Sequence, residues 1–120
     1  MISNSAISKV FRQIAYLIEF EAKAKDEDMD SDGNNKTNAV FKARAYRGSA
    51  DIIDNLSSNI EDIYNKEKLK GITKIPSVGK AIASKIEEYI TTGKIQYFDD
   101  LRKRAGGINV EEFSSLDGIG

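Results

Sequence analysis

Residues 72–86 contain the side chains of this sequence that are best placed for chemistry, because a lysine follows a sharp turn there. Pro76 cannot lie inside a helix, so a first helix is predicted to end before it. Gly79 permits a positive φ or a close approach, and the sequence predicts that a second helix begins there. The first amide groups of a helix have no carbonyl partner within it, and Lys80 lies in this first turn. A free helix N-terminus beside a lysine is an anion site, and the biological anion that fits it best is a nucleic-acid phosphate.

The residue types that are absent exclude several other kinds of site. The 120 residues include no cysteine and no histidine, which excludes disulfides, thiolate metal sites and the usual imidazole base or zinc ligand. Nucleotidyl transfer needs carboxylates that hold metal ions on a rigid scaffold. The only Asp-x-Asp patterns lie in the acidic, turn-prone run at residues 26–32. A polymerase site within these residues is therefore not expected.

The same acidic run resembles the opening of an EF-hand calcium loop. Aspartates alternate from residue 28 to residue 32, and Gly33 follows at the spacing of that motif. The twelfth position, which carries the bidentate glutamate, falls on Ala39, so the strongest ligand is missing. We expect a solvated acidic loop over residues 22–36 and only weak calcium binding.

Helical periodicity predicts an all-α protein, a compact bundle of about four to six short helices. An apolar stripe at i, i+3, i+4 and i+7 spacing defines the first helix, which Ser3, Asn4 or Ser5 can cap. Ser58 and Glu61 are spaced as a capping box for a short helix that precedes the turn at Pro76. Besides the two helices that flank Pro76, the second of which ends at Gly93, the predicted helices cover residues 3–21, 37–56, 58–64 and 95–105.

The net charge of −1 is unevenly distributed along the chain. Residues 40–104 contain 13 Lys and Arg against 9 Asp and Glu, which predicts the locally basic surface that phosphate binding requires. The helix at residues 95–105 is predicted to face its aromatic side chains, Tyr97 and Phe98, inward and its three cations outward.

The end of the chain repeats the sequence pattern of the turn at Pro76, which makes it a second hairpin pattern. Residues 116–120 repeat the pattern of residues 75–79, after a capping box at Asn109 and Glu112, and stop where another helix would begin. We therefore expect a DNA-binding domain in residues 1–94 and a helical extension in residues 95–120 that leads into a truncated second hairpin of a longer protein.

Residues 72–79 resemble the helix-hairpin-helix DNA-binding motif, with Ser77 where glycine is usual. Two further patterns extend the resemblance: Phe-Lys-x-Arg-Ala-Tyr-Arg from residue 41, and Leu-x-Gly-Ile-Gly at the end of the chain. The hairpin is also followed by Lys85-Ile86 and by Thr-Gly-Lys at residues 92–94. Over residues 4–120 the chain resembles the N-terminal, lyase-type region of the beta-like family X DNA polymerases.

That resemblance implies a domain of a DNA repair polymerase that binds the phosphates of gapped, nicked or 5′-phosphorylated DNA without sequence specificity. Together with the turn it indicates these DNA-binding positions: Lys42, Tyr46, Lys74, Ser77, Val78, Gly79 and Lys80. It also implies a Na⁺ or K⁺ ion held by the backbone carbonyls of Thr73, Ile75 and Val78, and no other cofactor. The family's phosphate pocket is only partly kept, because Thr73 and Ala81 replace lysines and Phe41 replaces a histidine.

Two other functions stay open. Lys85 matches the lysine that, in lyase-active members of the family, attacks C1′ of an abasic sugar, forms a Schiff base and releases the sugar phosphate by β-elimination. The other alternative is a helical protein-interaction module that has kept the fold and lost DNA binding. For residues 41–47 themselves, a solvated basic face with Phe41 and Tyr46 packed inward is the other interpretation. We expect a monomer without membrane attachment, located at the nucleoid in the cytoplasm or in the nucleus, and not secreted.

Overall fold

The computed structural model describes residues 2–26 and 34–106, and all the regular structure within them is helical. The helices are α1 Asn4–Asp26, α2 Asn34–Asp54, α3 Ile60–Thr73, α4 Lys80–Thr92 and α5 Gln96–Arg104. The prediction of an all-α bundle is confirmed. Among the described helices, none is both long enough and apolar enough to span a bilayer. The calcium-like run from residue 28 and the second hairpin at residues 116–120 lie outside the described residues.

The first two helices are longer than predicted, so the loop expected over residues 22–36 is wrong at both ends. α1 continues from Glu21 to Asp26, because the glutamate, alanine and lysine residues of this stretch are strong helix formers. α2 begins at Asn34, three residues before its predicted start. The start of α1 is as predicted, since Ser3 Oγ accepts a hydrogen bond from the Ala6 N–H at 3.0 Å.

The core lies where the apolar stripe of α1 packs against α2. Val10 is partly buried at the edge of the predicted stripe, and the other five stripe residues are buried: Ile7, Phe11, Ile14, Leu17 and Ile18. The Phe11 ring and the Tyr46 ring of α2 pack in a T-shaped arrangement, with centroids 5.3 Å apart and planes at 82°. Because each fully buried Ile, Leu or Phe side chain contributes about 1.5–3 kcal/mol, the packing of α1 against α2 is the main support of the bundle.

Polar contacts attach the other elements to this pair of helices. Asn4 of α1 accepts from the Ile60 N–H at 2.7 Å and so holds the start of α3. Arg104 Nε donates to Glu21 Oε2 at 2.6 Å and attaches the end of α5 to α1. Within the pair itself, the guanidinium of Arg12 in α1 lies 2.8 Å from the carboxylates of Asp51 and Asp54 in α2.

The start of α3 differs from the prediction. Asn59, not Ser58, is the N-cap residue, and its side chain accepts from the Glu61 N–H at 2.8 Å. The capping box predicted for Ser58 and Glu61 is therefore wrong. The cap lies one residue later because Ile60, which is fully buried, must turn toward the core at the first helical position.

α3 also continues beyond its predicted end at residue 64, with a kink at Lys68. The backbone of Lys68 has φ 57° and ψ −150°, a region that is almost confined to glycine. Gly71 permits the kink, because a Cβ atom at this buried position would lie 2.6 Å from Glu67 Cβ. The kink brings the last turn of α3 to the hairpin, and α3 ends at Thr73, before Pro76 as predicted. α4 ends at Gly93, which has φ 82° and is the predicted C-cap.

Candidate nucleic-acid interface

The turn between α3 and α4 is anchored to the core on one side and exposed to solvent on the other. Ile72, Ile75 and Val78 are buried in the core, and the Val78 N–H donates to the Ile75 carbonyl at 3.1 Å. The exposed residues of the turn are Pro76, Ser77, Gly79 and Lys80. The three buried apolar side chains thus fix the turn to the core and leave its backbone facing solvent.

Ser77, and not Gly79, has the positive φ in this turn. Its φ is 68°, whereas Gly79 has φ −84° and ψ −177°, an extended conformation open to any residue. Gly79 would permit a positive φ, but the turn does not use it at this position. The reason is the turn type: Pro76 follows Ile75 and a hydrogen bond joins Ile75 to Val78, so Ser77 takes the third position of a type II turn, where φ is positive.

Ser49 of α2 contributes a contact that the sequence did not reveal. Its hydroxyl is fully buried and donates to the Ser77 carbonyl at 3.1 Å. This bond ties the exposed turn directly to α2. A serine among the buried residues Tyr46 and Ala50 was the available signal, but its partner lies 28 residues away in the chain and periodicity gives no distance.

The N-terminus of α4 is open to a ligand. No side chain caps it, and the first helical bond runs from the Ala83 N–H to the Gly79 carbonyl at 2.9 Å. The amides before Ala83 therefore have no acceptor within the helix. A Cβ atom added to Gly79 would have no neighbour within 4 Å, so the space beside Gly79 is open. Exposed Lys80 adds a cation to this end of the helix dipole.

The two predicted lysines of the hairpin differ in their partners. Lys74 Nζ lies 2.7 Å from Glu67 Oε1, and both side chains are largely exposed. The hydrogen bond and the charge of Lys74 lower the pKa of the Glu67 carboxyl. Lys80 forms no salt bridge with any described residue. Lys80 is thus available to an anion, whereas the charge of Lys74 is compensated.

The predicted residues outside the hairpin meet at Tyr97. Tyr46 is buried and stacks on Tyr97, with centroids 6.3 Å apart and planes at 28°. Lys85 Nζ lies 5.5 Å from the centre of the same Tyr97 ring. Burial raises the pKa of the Tyr46 phenol, so this residue is neutral at physiological pH. Lys42 is exposed on α2. Tyr97 was predicted only as an inward-facing core residue, and its role in joining two candidate site residues was missed.

The three positions that depart from the resembled family, Phe41, Thr73 and Ala81, differ in burial. Phe41 is 60% exposed, so the prediction that its side chain packs inward is wrong, whereas Tyr46 does pack inward. Thr73 is half-buried and its hydroxyl donates to the Lys70 carbonyl at 3.0 Å, and Ala81 is exposed. The proposed ion at the carbonyls of Thr73, Ile75 and Val78 stays a prediction.

The fold and the turn define a helical domain with a helix-hairpin-helix motif. The family described as "Helix-hairpin-helix domain" matches residues 2–95. The chain belongs to this family, whose match includes α1–α4 and both sides of the turn. This membership supports nucleic-acid binding in general.

Proposed function

We propose that this domain binds the phosphate backbone of DNA through the turn between α3 and α4. The observation that carries the proposal is the uncapped N-terminus of α4, with exposed Lys80 at its first position. Amide groups and the helix dipole stabilise a bound phosphate there. Gly79 leaves the approach free, because no side chain stands outside the turn at that position.

Binding of this kind is independent of DNA sequence. The available donors are backbone amides and a lysine ammonium, which contact phosphate oxygens and carry no information on base identity. The turn is also short, and its buried anchors hold it against the bundle, so it cannot enter a groove as a recognition helix does. Affinity should therefore depend strongly on salt and weakly on sequence.

We further propose that the DNA is gapped or nicked and that the domain belongs to a family X polymerase-like repair protein. The support is the sequence pattern around the turn together with the positions of Lys42 and Lys85, which are both accessible to solvent. The absence of cations at Thr73 and Ala81 predicts only a small preference for a 5′-phosphate.

A titration against three DNA forms tests the proposal. Single-stranded DNA, intact duplex and 5′-phosphorylated gapped duplex of the same sequence are bound to the chain while fluorescence anisotropy is followed at several salt concentrations. We expect the gapped duplex to bind most tightly, and every form to bind more weakly as salt rises. Affinity that does not change between low and moderate salt would favour a protein-interaction module instead.

An abasic-site lyase is the second candidate. Lys85 is partly exposed and forms no salt bridge with a described residue, so its amine is accessible to an aldehyde. Addition to C1′ with loss of water would give the Schiff base, and β-elimination would then break the C3′–O bond. Borohydride trapping on a 5′-abasic substrate separates this reaction from simple binding.

A further inference from the structure

A column of aromatic rings leads from the core to the amine of Lys85. Phe11 contacts Tyr46 at 5.3 Å, Tyr46 stacks on Tyr97 at 6.3 Å, and Lys85 Nζ lies 5.5 Å from the centre of the Tyr97 ring. We propose that Tyr97 is a positioning residue that holds the ammonium of Lys85 between α4 and α5 as an additional phosphate contact. This inference rests on the proposed DNA binding at the turn.

The position of Lys85 suits such a contact. Lys85 lies five residues after Lys80 in α4, which is about 7.5 Å along the helix axis. Successive phosphates of one strand are about 3.4 Å apart along the duplex axis. Five residues also rotate the chain by about 140° around the helix axis, so Lys80 and Lys85 face different sides of α4. A strand that serves both passes from the N-terminus of α4 along the face that carries Lys85, where a further phosphate comes within the axial range of the ammonium.

The ring orders the lysine without neutralising it. Lys74 shows the contrary case, because its ammonium is paired with the Glu67 carboxylate at 2.7 Å. No described carboxylate forms a salt bridge with Lys85. An aromatic face attracts the ammonium, and its other N–H donors stay free for a phosphate.

Ordering the lysine before DNA arrives should strengthen binding. A free lysine side chain loses much rotamer freedom when it is fixed against a ligand. Tyr97 reduces that loss, since the ring is itself held by Tyr46 and Tyr46 by the core. The tyrosine thus acts on DNA affinity through Lys85, without contacting DNA itself.

A double-mutant cycle tests the inference on the full chain with the gapped duplex. An exposed cation–ring contact corresponds to about a two- to fivefold change in affinity. We expect Tyr97→Leu to weaken binding by this factor without changing its salt slope, because no charge is removed. Tyr97→Phe keeps the ring and should stay within about twofold of the wild type. In a Lys85→Ala background, Tyr97→Leu should have no further effect.

The matched control is Phe98→Leu on the same helix. Phe98 is also half-buried and also lies beneath a cation, with the Arg102 guanidinium 5.5 Å from its ring centre. Equal losses for Tyr97→Leu and Phe98→Leu would indicate a general disturbance of α5 and would overturn the inference. Should Tyr97→Leu not fold, Tyr97→Met, which fills more of the space but has no ring, takes its place.

Four further outcomes distinguish the positioning role from its alternatives. A loss of affinity in Tyr97→Phe equal to that in Tyr97→Leu would assign the effect to the hydroxyl, against the inference. Additive losses in the Lys85→Ala background would show that Tyr97 does not act through Lys85. If Lys80→Glu weakens binding while the cycle shows no coupling, only the positioning role fails. If Lys80→Glu also has no effect, the proposed function fails first.

Discussion

Replacing Ser77 by glycine should stabilise the protein, because Ser77 is an L-residue in the left-handed region. Its φ is 68°, and the type II turn requires a positive φ at this position. The hydroxyl of Ser49 bonds to the backbone carbonyl of Ser77, and glycine retains that carbonyl. The substitution therefore removes the steric cost of the Cβ atom and leaves the contacts of the turn in place.

Two opposing effects set the magnitude. Left-handed backbone costs an L-residue about 1–2 kcal/mol, which glycine does not incur. Glycine gives the unfolded chain more freedom, which lowers stability by about 0.5–1 kcal/mol. The expected net gain is about 0.5–1 kcal/mol, equivalent to a rise of about 2–5 °C in Tm for a chain of this size.

Thermal and urea unfolding followed by circular dichroism measure this gain. Gly79→Ala is the matched control, since Gly79 has φ −84° and a Cβ atom there meets nothing within 4 Å. Alanine should change stability by less than about 1 kcal/mol, because the lower entropy of the unfolded chain is opposed by the weaker preference for alanine at the N-cap of α4. A Ser77→Gly variant that is less stable than the wild type would refute the assignment of the left-handed residue to position 77.

Three other predictions concern the surroundings of the turn. Gly71→Ala should destabilise the protein by about 1–3 kcal/mol in urea unfolding, because the new methyl group would lie 2.6 Å from Glu67 Cβ; an unchanged midpoint would contradict the close packing across the kink. Glu67→Gln should increase DNA affinity by about two- to threefold at low salt by freeing the charge of Lys74, and the gain should fade as salt rises; anisotropy titrations that show no gain would mean that Lys74 takes no part in binding. Borohydride trapping on a 5′-abasic substrate should give at most a weak adduct that Lys85→Ala abolishes, because two cations of the resembled pocket are absent; strong trapping that requires Lys85 would make the domain an enzyme.

The sequence predicted those features that one residue or one repeat determines. The stripe of α1 follows from helical period, the end of α3 from Pro76, and the end of α4 from Gly93, whose φ is 82°. Each of these features depends on neighbours within one or two helical turns.

The features that were missed depend on contacts between distant residues. The kink at Lys68 exists because Gly71 lets Glu67 pack closely, and no local pattern reports that. The bond from Ser49 to the turn and the position of Tyr97 beside Lys85 are set by how the helices pack. Periodicity shows which side of a helix is buried, but not which side chains meet there.

The salt dependence of DNA affinity in Lys80→Glu tests the central claim most directly. Lys23→Glu is the control, because Lys23 lines the groove between α1 and α2 and undergoes the same change of charge. We expect Lys80→Glu to weaken binding to every sequence and to make the plot of log K against log salt shallower by at least about 0.9. Lys23→Glu should retain most of the affinity and the wild-type slope. Equal affinities and slopes for Lys80→Glu and Lys23→Glu would contradict phosphate binding at the N-terminus of α4.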